Sequence, residues 1–148
     1  MGVVGCTFYD NVADKYGGAI AVFGATLRVI GSTIIGNTSY DAGGGIGLRN
    51  NASLTVTDST LSHNVALNSG GGIYTSYSDL DVTSAVVYGN IVNTAGHGGG
   101  IYGTTDAVIR SSTFAHNTVN STATDAGAAI YQAAEVTNCV FDANSTAT

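Results

Sequence analysis

Short runs of alternating apolar and polar residues, rather than helical stripes, recur along the whole of this chain. In "LTV" at 54–56, Leu54 and Val56 fall on one side and Thr55 on the other. A polar pair follows, and "STL" at 59–61 alternates again with its parity shifted by the corner. "GIY" at 72–74 makes a third short alternating segment. Period-two runs of this length predict strands, and no ten-residue stretch shows helical apolar spacing with caps.

The same unit returns six times. Asparagine stands at 11, 37, 64, 90, 117 and 144, with successive spacings of 26, 27, 26, 27 and 27 residues. Three positions before each comes a large apolar residue: Phe8, Ile34, Leu61, Val87, Phe114 and Phe141. Eight positions before each comes Val3, Val29, Val56, Val82, Ile109 or Val136. A second signal, Gly-Gly-(Ala/Gly)-Ile, ends at Ile20, Ile46, Ile73 and Ile101, with a degenerate copy ending at Ile130. Self-similarity at this period marks a solenoid. The fold expected is all-β, a single-stranded parallel β-helix filling one domain, residues 1–148. It has about five and a half coils of about 27 residues and three short strands per coil. A right hand follows from the general handedness of parallel crossovers.

The repeat assigns the asparagines to architecture. Equivalent residues of successive coils stack at about 4.8 Å, so a corner amide can pass hydrogen bonds to the amides above and below. It also satisfies corner backbone groups that would otherwise be buried unpaired. Gly17, Gly43, Gly70, Gly98 and Gly127 share one position, where the variable loop re-enters a crowded corner. No helix N-terminus follows them, nor a Lys with Ser/Thr, so a phosphate loop is not supported.

Composition narrows the function classes. Charged residues are 9% of the chain, and the net charge is −6 with only four basic residues: Lys15, Arg28, Arg49 and Arg110. They are scattered, which argues against nucleic acid as a partner. No apolar run is long enough for membrane insertion by this segment, and no signal peptide is visible at Met1. Cys6 and Cys139 share a small inward column with Ser32, Ser59, Ala85 and Ser112. Five coils put them roughly 24 Å apart, beyond the reach of a disulfide. His63 and His116 share a column two coils apart, with Gly89 between, too far to chelate a metal together. With His97, they read as surface histidines.

The sharpest chemical cluster is acidic. Asp79 and Asp106 fall in one column of adjacent coils, and Asp81 lies two residues on, on the same side of the strand. Carboxylates so stacked repel, and a bound calcium ion or a catalytic proton would relieve them. No Lys or Arg is expected beside the trio, and Val108 and Ala133 share its columns, so a solvated surface is the preferred reading. No catalytic residue, cofactor or metal ligand is therefore assigned. Thr7, Thr33, Thr60 and Thr113 form an outward column interrupted by Val86 and Val140, beside one too uneven and charged for an ice-binding face. Tyr74, Tyr102 and Tyr131 should stack just after the glycine corner, as a ladder or as a surface for sugars or proteins.

The pairing of "GGAI" with "FxxN" resembles the repeat pair of the polymorphic outer-membrane proteins, whose passenger domains are β-helical bacterial autotransporters associated with adhesion. "GGGIY…LTVTDSTLSHN" is similar to the long repetitive surface proteins of many bacteria. The resemblance spans the whole chain, with both motifs in order and phase. It implies a non-enzymatic structural or adhesive module, secreted or displayed on a bacterial surface. Its implied partner is a protein or glycan of a host or neighbouring cell. The alternative is a glycan-binding or polysaccharide-processing β-helix using Asp79, Asp81 and Asp106. The loop from Asn117 to Ile130, the longest in the chain, is short for the wall of a catalytic cleft. Because both ends stop short of a glycine-isoleucine strand, the chain is expected to be part of a longer repeat protein or a unit that associates head to tail.

Overall fold

The computed structural model describes residues 1–94, 96–121 and 126–146. Among them the strands form four parallel sheets, three of six strands and one of five. The first sheet contains Gly2–Val4, Thr26–Ile30, Ser53–Thr57, Asp79–Thr83, Val108–Arg110 and Glu135–Thr137. The second begins with Thr7–Tyr9 and Thr33–Ile35 and ends with Val140–Asp142. The fourth comprises Ile20–Phe23, Ile46–Arg49, Ile73–Thr75, Ile101–Tyr102 and Ile130–Tyr131. These are the three strands per coil expected from the alternation. The third sheet is an addition, built from two-residue strands such as Val65–Ala66 and Ile91–Val92 directly after each asparagine. Two residues are too few to display an alternation, so this segment reads as the start of the loop.

Register follows the repeat residue for residue. Leu54 pairs with Leu27 and Leu80, and Val56 with Val29 and Val82. Leu61 pairs with Ile34 and Val87. These columns fill the solenoid, with Leu27, Ile34, Leu61, Val82, Ile101 and Phe114 completely buried. Each such side chain contributes about 1.5–3 kcal/mol on removal from water. The loop expected to be longest, between Asn117 and Ile130, lies partly outside the described residues, as does Thr148.

The asparagine ladder is continuous. Nδ2 of Asn11, Asn37, Asn64, Asn90 and Asn117 donates to Oδ1 of the asparagine one coil on, at 2.8–3.0 Å. The same Oδ1 accepts the backbone N–H of the earlier asparagine, at 3.0–3.1 Å. The second Nδ2 hydrogen goes back to the carbonyl of the apolar residue in the preceding coil. Asn37 donates to Phe8, Asn64 to Ile34, Asn90 to Leu61 and Asn117 to Val87, at 2.9–3.1 Å. This bond joins the two halves of the apolar-x-x-Asn motif: the apolar side chain fills one coil while its carbonyl receives the amide of the next.

A second ladder occupies the column read only as small and inward. The hydroxyls of Ser32, Ser59 and Ser112 donate to the carbonyl two residues back and accept the backbone N–H of Cys6, Ser32 and Ala85 respectively. Cys6 and Cys139 occupy its two ends as free thiols, each donating to the equivalent carbonyl, of Val4 or Thr137. Cys6 is exposed and Cys139 half-buried.

Residues just before both ladders adopt positive φ. Asp10, Gly36, His63, Gly89, His116 and Ala143 precede the asparagines, with φ between 48° and 69°. Gly5, Gly31, Asp58, Ser84, Ser111 and Asn138 precede the serine column. Left-handed geometry turns the strand through each corner and accounts for the glycine, Asp and Asn enrichment there. The expected glycine column is present too: Gly70 sits at φ 63°, and a Cβ on it would collide with the Ile73 carbonyl.

Both ladders make stability predictions. Asn64→Ala or Asn90→Ala should lower the unfolding free energy by about 1–3 kcal/mol in urea titration, because each strands buried donors and acceptors in two neighbouring coils. Asn144→Ala should cost clearly less, having no asparagine beyond it, and equal losses at both places would contradict the ladder. Ala85→Ser should add about 0.5–1.5 kcal/mol, since its hydroxyl would meet the Ser59 amide as Ser59 meets that of Ser32.

Candidate binding groove

After each glycine corner the fourth sheet presents one outward column: Ala21, Gly47, Tyr74, Tyr102 and Tyr131. The expected tyrosine stack is formed, with centroids 5.1 Å apart at both steps and rings within 30° of parallel. It continues at both ends through residues outside the column. Tyr16 packs against Tyr74 at 6.2 Å, in the space left by Gly47. Arg49 covers Tyr16, 4.7 Å above its ring, and donates to its hydroxyl at 2.7 Å. Burial, then the nearby Asp41 carboxylate, push the Tyr16 hydroxyl above the usual tyrosine range, while Arg49 opposes them. Burial raises Tyr102 likewise, followed by Tyr74 and Tyr131.

At the far end His97 stacks on Tyr131 at 4.4 Å and 20°. Its Nδ1 is buried with no hydrogen-bond partner. His97 is therefore half-buried and part of the stack, which corrects its reading as a surface histidine. It shares the column before the glycines with Tyr16, Ala42 and Ser69, whose dissimilar residue types gave no sign of a stack. His63 and His116 do lie exposed, and each meets the edge of Tyr88, at 5.2 and 5.3 Å, rather than one another.

Rings stacked along the axis cover one another's faces and present edges and hydroxyls outward. The column is thus a ladder first. Its outer edge nevertheless forms one wall of a half-open groove of about 650 Å³ at the corner leading from the fourth sheet into the first. Tyr74 and Tyr102 line this wall, the Ser76–Ser78 turn and the Gly103–Ala107 turn supply the other side, and Asn51 and Gln132 stand in the flanking coils. Gly103–Ala107 is the longest turn at this corner, closed by the Ala107 amide on the Thr104 carbonyl at 3.1 Å. Thr104 in turn donates to the Ser78 carbonyl at 3.2 Å.

Tyr77 lies at the rim, 84% exposed, with φ 49°. Positive φ is rare for a bulky residue. The equivalent turn positions, Gly24 and Asn51, are also left-handed. Corner geometry thus fixes the backbone there and leaves the Tyr77 ring uncovered. Sequence reasoning missed this residue because the residue type at its turn position changes from coil to coil.

The acidic trio divides. Asp79 and Asp106 both line the groove. No ladder pairing joins them: Asp79 is in a strand paired with Ser53, whereas Asp106 sits in the turn, and strand pairing between their coils begins at Asp81 opposite Val108. Asp81 stands apart, accepting from the Thr83 hydroxyl at 3.1 Å and lying 3.7 Å from Arg110. Arg110 also makes a two-pronged contact with Glu135, at 3.0 and 3.2 Å. The expectation that no basic residue adjoins the trio fails here, because Arg110 reaches diagonally across the sheet. Among the described residues no three His, Cys, Asp or Glu side chains converge on a point that could hold a metal. Calcium titration should therefore leave the melting temperature unchanged. A clear rise that disappears in Asp79→Asn or Asp106→Asn would make the pair a metal site.

The family model of right-handed β-helix regions matches residues 2–148. No curated protein and no solved structure matches the chain. The hand expected from crossover geometry agrees with this match, and no helix among the described residues is long and apolar enough to cross a membrane. Four parallel sheets, in-register columns and a match over nearly the whole sequence have one common reading, that the chain belongs to the right-handed β-helix family.

Proposed function

We propose that this β-helix is a non-enzymatic structural and adhesive module of a secreted or surface-displayed bacterial protein, of the kind its repeats resemble. One observation carries the reading: the corner amides of the interior are consumed by the asparagine ladder, while an open groove lies beside an uncovered tyrosine. A rigid rod with outward binding groups suits display of a contact surface at a distance from its anchor. Polysaccharide processing is the alternative, with Asp79 and Asp106 as its reacting carboxylates. It loses Asp81, which Arg110 and Thr83 hold outside the groove. Beads coated with the chain should attach to bacterial or host cell surfaces more firmly than albumin-coated beads, and should release no reducing ends from a polysaccharide panel. Turnover abolished by Asp79→Asn or Asp106→Asn would establish the enzyme instead.

Self-association is a second element of the proposal. Phe141 is 49% exposed, whereas its column neighbours Ile34, Leu61, Val87 and Phe114 are fully buried. A coil of a second copy would cover it as a coil of this chain covers the others. Light scattering should register mass growth with concentration, suppressed by Val140→Lys in the same strand, and a constant monomer mass would refute it.

A further inference from the structure

We infer that the groove at the corner between the fourth and first sheets is a subsite for an amino-sugar glycan. The inference rests on the binding-module reading and names a ligand class for it. Three features of the groove carry it.

The first is aromatic. Tyr77 is the most exposed large apolar residue of the chain, and its ring is free of the stack that occupies Tyr74 and Tyr102. A free aromatic face beside a polar groove suits the C–H face of a sugar ring, and its quadrupole attracts a cation.

The second is charge. Asp79 and Asp106 both line the groove, and no Lys, Arg or His does. The nearest first-sheet cation, Arg110, is already engaged by Asp81 and Glu135. This lining attracts an ammonium group and repels a uronate or other anionic sugar, a discrimination that needs both the attraction and the repulsion.

The third separates a sugar from a peptide. A peptide adding as a strand needs open backbone donors and acceptors. Here the Ser76–Ser78 and Gly103–Ala107 turns lie outside the strands and offer no extended edge for a peptide to pair with, while the Asn51 amide is taken by the Tyr77 carbonyl and the Gly103 amide by the Tyr131 carbonyl, both at 2.8 Å. What the groove offers is side-chain groups, the amides of Asn51 and Gln132 and the hydroxyl of Thr104, of the kind that hydrogen-bond sugar hydroxyls. A groove of about 650 Å³ falls in the range of small-ligand sites.

The test is titration calorimetry of the intact chain with triglucosamine, tri-N-acetylglucosamine, trigalacturonate and a trilysine peptide. Triglucosamine should bind, tri-N-acetylglucosamine more weakly, and trigalacturonate not at all. Trilysine should bind less tightly than triglucosamine, because it has the charge but no sugar ring to lie on the Tyr77 face. Tyr77→Gly keeps the left-handed backbone accessible and removes only the ring, so the fold should survive while affinity falls about tenfold. Asp106→Asn should abolish the preference for the free amine over its acetylated form. Equal binding of the uronate, tighter binding of the peptide, or affinity unchanged in a folded Tyr77→Gly protein would overturn the subsite. Bead attachment that persists in Tyr77→Gly, with no triglucosamine bound by the parent chain, would refute this inference and leave the adhesive reading standing through another face.

Discussion

Everything in this protein depends on one carboxamide per coil. An asparagine side chain has two acceptor lone pairs and two donor hydrogens, and at interior rungs all four are used. Aspartate lacks the donors, alanine has neither, and glutamine's extra methylene would carry the amide past its partners. The amide must also lie one coil from its neighbour, so each coil has to return to the same corner after 26 or 27 residues. Repeat length, parallel register and the stacking of apolar columns are consequences of that closure. The energetic logic is local. Each coil contacts its neighbours, and stability accumulates along one dimension.

Because the interior is fixed so tightly, the outside is free to vary. The Arg110–Glu135 contact and the Asp81 carboxylate sit on the first sheet without disturbing Val82 or Ile109 beneath them. The groove arises where the corner between the fourth and first sheets interrupts strand pairing over its longest stretch, Gly103–Ala107. Between the paired positions Tyr74/Tyr102 and Val82/Ile109 the corner changes length by one residue from one coil to the next, which alters the surface and leaves the ladders intact. Binding chemistry can therefore be placed on this scaffold at small structural cost.

Periodicity made the fold legible, and it set the limit of what the sequence could tell. Leu54, Val56, Leu61 and Asn64 recur in phase, so their columns could be paired before any coordinates. The tyrosine stack was readable for the same reason. The serine ladder was visible as a column, but its purpose was not, since a small buried residue reads the same with or without a hydroxyl bond. The third sheet was hidden by strands only two residues long. The site was least legible where residue type does not repeat: Tyr16 and His97 share the column just before the glycines with Ala42 and Ser69, Tyr77 shares a turn position with Gly24 and Asn51, and strand pairing lapses between Asp79 and Asp106. Spacing also could not reveal Arg110 beside Asp81, because a long side chain crosses the sheet diagonally.

Native-state hydrogen exchange on the backbone amides of Asn37, Asn64, Asn90 and Asn117 tests the central claim most directly. Each is donated to the side-chain oxygen of the next asparagine. If the ladder holds the coils together, these amides exchange only through global unfolding, with the same free energy as the buried strands around them. Exchange through local opening, at the rate of amides in the exposed corner turns, would contradict the account.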